Sequence, residues 1–101
     1  MGLTNLEQIV QSIFKSFTTR AFNGSVTTTT GYVALATDAP ARLVYISNTT
    51  GEVLYVRLDG KDIYLPDGAM FPINNISNLN TVFVKTAAPT AGLTVTFRYE
   101  L

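Results

Sequence analysis

Leu93-Thr94-Val95-Thr96-Phe97-Arg98-Tyr99-Glu100-Leu101 alternates without a break. Successive side chains of a β-strand point to opposite faces, so Leu93, Val95, Phe97, Tyr99 and Leu101 share one face and Thr94, Thr96, Arg98 and Glu100 the other. This predicts a closing strand with one face in a core and the other toward solvent or a neighbour. Upstream, Pro89 to Gly92 reads as a turn and Val82 to Thr86 as a strand. Before an Asn-rich stretch from Asn74 to Asn80 lie Met70 to Ile73 and the turn Pro66-Asp67-Gly68. Asp59-Gly60 is a two-residue hairpin signal joining Val53 to Leu58 with Lys61 to Leu65. Leu43 to Asn48 reads as a further strand, connected through Thr49-Thr50-Gly51-Glu52. In these two earlier strands Leu43, Tyr45, Leu54 and Val56 are interleaved with other apolar residues, which predicts cover on both faces. Asp38-Ala39-Pro40-Ala41 is a loop, and Ser25 to Leu35 holds one or two strands, with Thr27 to Thr30 as an edge or an extended arm. Short strands at this spacing predict a small antiparallel β-sandwich, jelly-roll-like.

Ahead of residue 22 the period changes. Leu6, Ile9, Val10, Ile13, Phe14 and Phe17 fall on one face of an α-helix, with Glu7, Gln8, Gln11, Ser12, Lys15 and Ser16 opposite. Thr4 followed by Glu7 is a capping box: the hydroxyl accepts from the Glu7 amide and the carboxylate from the Thr4 amide. Thr18 and Thr19 weaken the helix, and Asn23-Gly24 reads as a turn. The expected organisation is an N-terminal amphipathic helix and linker over 1–21 and a β-sandwich domain over 22–101. A helix of about a dozen residues is marginal alone in water. Its stripe must dock on its own sandwich, on symmetry mates or on a partner, and Leu6, Ile9, Val10, Ile13, Phe14 and Phe17 are the candidate interaction residues. A single Lys15 on the polar face argues against a membrane-surface helix.

The 101 residues suit one domain, and seven basic against seven acidic side chains leave no field to recruit a polyanion, so no nucleic acid partner is expected. With 14% charged and 47% hydrophobic residues, the composition is that of an assembly component. No apolar run approaches the roughly 20 residues that span a bilayer, and the start lacks the pattern of a secretion signal, so no membrane partner and no export by that route are expected.

The chain has neither His nor Cys, which removes the usual base of a nucleophilic triad and the usual zinc ligands. No cofactor, metal or catalytic residue is expected. Hydrolysis by paired carboxylates is the remaining catalytic option; the acids are Glu7, Asp38, Glu52, Asp59, Asp62, Asp67 and Glu100, mostly in turns. Asp59, Asp62 and Asp67 at first suggest a Ca²⁺ site, yet Asp is the ordinary residue of hairpin turns and the spacing fits no known loop. Asn48-Thr49-Thr50 and Asn75-Ile76-Ser77 match the glycosylation triplet and are read as turn residues. Tyr32, Tyr45, Tyr55, Tyr64 and Tyr99 invite a carbohydrate-binding reading, whose discriminator is aromatic rings exposed on one face.

Tyr45-Ile46-Ser47-Asn48-Thr49-Thr50-Gly51-Glu52-Val53-Leu54-Tyr55-Val56-Arg57-Leu58-Asp59-Gly60, with Leu65-Pro66-Asp67-Gly68, Asn78-Leu79-Asn80 and Gly92 through Tyr99, resembles small β-sandwich structural proteins of tailed-bacteriophage particles. The resemblance covers about the last 60 residues, by matched turns and alternation. It implies a noncatalytic virion protein, of capsid decoration (cement), head-fibre, or neck and tail accessory type. Its expected partners are phage capsid or tail proteins and its own copies, as a homo-oligomer with a trimer favoured. The alternatives are a carbohydrate-binding or host-recognition module, with the tyrosines and the Asn74 to Asn80 stretch at one end, and a small carboxylate hydrolase.

Overall fold

The computed structural model describes residues 21–101; the expected N-terminal helix, with Leu6, Ile9, Val10, Ile13, Phe14 and Phe17, lies outside the described residues. Eight strands follow in order: β1 (Ala21–Thr27), β2 (Val33–Ala34), β3 (Leu43–Ser47), β4 (Leu54–Leu58), β5 (Lys61–Leu65), β6 (Met70–Asn74), β7 (Val82–Thr86) and β8 (Thr94–Glu100). A short 3₁₀ turn, Leu79–Thr81, leads into β7. They form two four-stranded sheets of order β1-β8-β3-β6 and β2-β7-β4-β5, antiparallel at every pairing.

The pairing is mirrored about the middle of the chain: β4 with β5, β3 with β6, β2 with β7, and β1 with β8. A ribbon of antiparallel pairs centred on one hairpin has thus been wound over itself, which is the winding of an eight-stranded double-sheet jelly roll. At its centre, Asp59 (φ 52) and Gly60 (φ 74) both take the left-handed conformation that a type I′ hairpin requires.

The alternation then sorts each strand. Val44 and Ile46 of β3, Ile73 of β6, and Val95 and Phe97 of β8 face Leu54 and Val56 of β4, Leu65 of β5, and Val82 and Val84 of β7. Each fully buried side chain of this size contributes about 1.5–3 kcal/mol before ordering costs. Leu35, Ala41 and Leu79 close the core at the loops. The outward residues of β3 and β4, among them Tyr45 and Tyr55, are half-buried, which accounts for the less regular pattern of those strands.

Asn23-Gly24 is not a turn. Both residues lie inside β1, where Asn23 opposes Arg98 and Gly24 opposes Phe97. A Cβ added to Gly24 would come within 2.6 Å of the Phe97 ring, so the ring lies against bare backbone at that position. An aromatic covering a strand glycine restores the cross-strand packing that glycine lacks. The local turn signal is overridden by a contact with a residue far along the chain.

Candidate functional site

One end of the sandwich is closed by buried polar side chains. Asn48 is buried; its amide nitrogen donates to the carbonyls of Glu52 (2.7 Å) and Leu65 (2.9 Å), and its Oδ1 accepts from the Thr50 hydroxyl (2.7 Å) and amide (3.2 Å). Thr28 donates to the Thr90 carbonyl (2.8 Å) and accepts from the Leu93 amide (3.0 Å). Thr86 donates to the Ala88 carbonyl (2.7 Å) and accepts from the Thr90 amide (2.9 Å). The Thr90 hydroxyl, 3.3 Å from Glu52 Oε1, links the two groups, and Glu52 Oε2 is the one buried side-chain oxygen among the described residues without a partner. This end holds four loops together and leaves the Asn48 amide no capacity for a glycan linkage.

The carboxylates are distributed rather than gathered. Asp67 accepts from the Gly51 amide (3.0 Å), Asp38 from the Asn78 amide nitrogen (2.9 Å), and Glu100 lies 3.6 Å from Arg42. Asp59 sits in the hairpin turn and Asp62 on the face of β5. Asp59, Asp62 and Asp67 therefore do not converge, and no cluster that would hold a metal ion occurs among the described residues. Two side chains of the Asn-rich stretch are also committed to structure: Asn78 Oδ1 accepts from the amides of Ala39 and Asn80 (both 3.0 Å), and the Asn80 side chain donates to the Thr37 carbonyl (3.3 Å).

The two outer sheet faces remain. Across the first, the register sets Asn23, Arg98, Tyr45 and Pro72 in one row and Ser25, Thr96, Ser47 and Met70 in the next. A groove of about 690 Å³ on this sheet is lined by Asn23, Tyr45, Ser47, Thr96 and Arg98 of these rows together with Gly24, Phe97 and Glu100, and by Met70, which is 64% exposed. Ala21, where β1 begins, is on the edge strand of this same sheet.

The second face is different in kind. The hairpin register places Tyr55 opposite Tyr64 and Arg57 opposite Asp62; Lys85 and Phe83 of β7 extend the same rows. The Tyr55 and Tyr64 rings meet edge to face at 5.6 Å, and Arg57 grips Asp62 with two bonds, Nε to Oδ1 at 2.8 Å and Nη2 to Oδ2 at 3.1 Å. Tyr32, just before β2, lies under the guanidinium, 3.8 Å from Arg57 Cζ to its ring centroid, with Lys85 Nζ at 5.3 Å. Partial burial, and next the hydrogen bond to Asp62, push the Tyr32 hydroxyl above the usual phenol value. The bond from Arg57 holds the Asp62 carboxyl below the usual carboxylate range, and the same bond raises Arg57. The arrangement offers stacking surface and oriented donors but no nucleophile with a base.

Three of the five tyrosines thus gather on one face. Tyr45 lies on the other sheet, and Tyr99 packs against Phe22 (5.4 Å) and Phe97 (6.0 Å) at the core margin. The Arg57–Asp62 cluster was open to sequence reasoning, since a two-residue hairpin at Asp59-Gly60 fixes which residues oppose each other.

No protein-family model matches the chain, and no curated protein sequence matches it. Among solved structures, the EutQ protein of Clostridium difficile is similar, with 14% identity and a TM-score of 0.50 over 80% of this chain and 56% of that one. A candidate ethanolamine utilization protein Q of Salmonella typhimurium LT2 has 15% identity and a TM-score of 0.52 over 80% of this chain and 58% of that one. The likeness is one of fold, and the chain spans somewhat over half the length of either structure.

Proposed function

We propose that this chain is a noncatalytic virion structural protein that ties itself to its own copies and to capsid or tail proteins by burying apolar surface. The supporting observation is the groove on the first sheet, with Met70 exposed beside it, on the sheet whose edge strand continues from residues 1–20. The candidate stripe, Leu6, Ile9, Val10, Ile13, Phe14 and Phe17, is tethered to that sheet at Ala21. A stripe and a groove joined in this way form a two-part docking surface, in which apolar area is removed from water on association. The low charge and the resemblance to tailed-phage sandwich proteins support the same reading.

The test is the solution mass of the full chain against that of a chain beginning at Arg20. An oligomer that becomes monomeric on truncation supports the proposal. Two monodisperse monomers of equal stability overturn it. A monomeric full chain whose truncation unfolds it assigns the stripe to its own sandwich and overturns it as well.

A further inference from the structure

We propose that the outer face of the second sheet, built from Tyr32, Tyr55, Arg57, Asp62, Tyr64 and Lys85, is a glycan-binding site that stacks a pyranose ring on Tyr64. Tyr64 is 61% exposed although it lies on a strand, and it presents a flat ring braced edge to face by Tyr55. The apolar C–H face of a pyranose packs on such a ring by dispersion and by attraction to its negative π-face. In the adjacent row the Arg57 guanidinium is held flat from below by the Tyr32 ring and from the side by both Asp62 oxygens. Bracing fixes the three remaining guanidinium N–H donors, and the acceptor capacity that Asp62 keeps beyond Arg57 and Tyr32, in one orientation, with Lys85 alongside. Vicinal hydroxyls of a sugar, each both donor and acceptor, fit a planar array that offers donors and acceptors together. Because the side chains are already ordered, little entropy is lost in binding.

The chemistry favours a glycan over a protein partner on this face. The Arg57 and Asp62 side chains are 40% and 38% exposed, so both ends of the pair are hydrated. A protein seated here would bury that pair at the centre of its interface, where charges are costly and depleted. Sugar hydroxyls instead replace the water hydrogen bonds one for one. The site lies on the sheet opposite the proposed docking groove, so it stands independently of the assembly reading.

The experiment is a titration of the ¹⁵N-labelled full chain with cellohexaose, maltohexaose, chitohexaose and trigalacturonic acid, followed by amide shifts. At least one probe is expected to shift amides of β4, β5 and β7 around Tyr64, Arg57 and Lys85. Tyr64→Ala is expected to weaken that binding about tenfold or more, while Tyr64→Phe, which keeps the ring, stays within about threefold of the parent. Arg57→Gln is expected to weaken it comparably to Tyr64→Ala. No shifts with any of the four probes, shifts located elsewhere, or shifts unchanged by Tyr64→Ala overturn the proposal. A change of solution mass in Tyr64→Ala, with no oligosaccharide shifts in the parent, assigns the face to a second copy of the chain and overturns it also.

Discussion

The closed end around Asn48 and the outer face around Tyr64 are built from similar polar chemistry and use it in opposite ways. At the closed end every buried side-chain donor of Asn48, Thr28 and Thr86 is bonded to a backbone carbonyl, and the bonds from Asn48 to Leu65 and from Thr28 to Thr90 tie separate segments together. On the outer face Arg57, Asp62 and Tyr32 bond and stack with one another and stay in solvent. Buried polar groups must be matched or they cost stability, whereas exposed ones exchange readily with water. The first region therefore holds the fold together, and the second keeps capacity for a ligand. Assigning function by residue type alone would confuse the two.

The largest effect expected from breaking this contrast is at Asn48. Asn48→Ala removes two donors, leaving the Leu65 carbonyl without this partner in a buried setting and the Glu52 carbonyl with only the Thr50 hydroxyl at 3.0 Å. It should destabilise by about 2–4 kcal/mol, and the melting temperature should fall by about 10 °C or more. Denaturant unfolding at neutral pH checks this, and a loss under about 1 kcal/mol would contradict the network's role.

Next is Thr28→Val, which keeps the shape and deletes only the hydroxyl. The Leu93 amide and the Thr90 carbonyl each lose a bond near a position that is 1% exposed. A cost of about 1–3 kcal/mol is expected in the same assay.

On the outer face Tyr64→Ala should change stability by about 1 kcal/mol or less, because it removes one cross-strand ring contact and exposes no core residue. A loss as large as that of Asn48→Ala would make the face structural and erase the distinction between the regions.

The smallest effect concerns pH. Asp62 has its folded pKa depressed by Arg57, so its stabilising contribution is present above the ordinary carboxylate pKa and is lost as pH falls through the lower folded value. NMR titration should find Asp62 below the usual range in the parent and shifted upward toward it in Arg57→Gln. An unchanged midpoint would mean that the ion pair does not persist in solution.

Most strand positions were legible because alternation and turn chemistry are local. Lys61 to Leu65 and Val82 to Thr86 coincide with β5 and β7, and Asp59-Gly60 forms the expected hairpin. Asn23-Gly24 misleads for the opposite reason, since only its pairing with Arg98 and Phe97 reveals a strand. The two residues of β2 carry too short a pattern to stand out from the Thr-rich segment before them. Of the candidate glycan site, the opposition of Arg57 to Asp62 and Tyr55 to Tyr64 is implicit in the hairpin. Tyr32 and Lys85 could not be added without knowing which strands β2 and β7 join.

A mainly β architecture, the turns that divide it, and the sorting of each strand's side chains onto two faces are encoded locally, because they follow from a period of two and from left-handed turn residues. Tertiary structure alone decided the partition into β1-β8-β3-β6 and β2-β7-β4-β5, the place of Gly24 against Phe97, and the gathering of three tyrosines around one ion pair. Those features arise from pairings between strands far apart in the chain. Neither local period nor local propensity carries information about such partners.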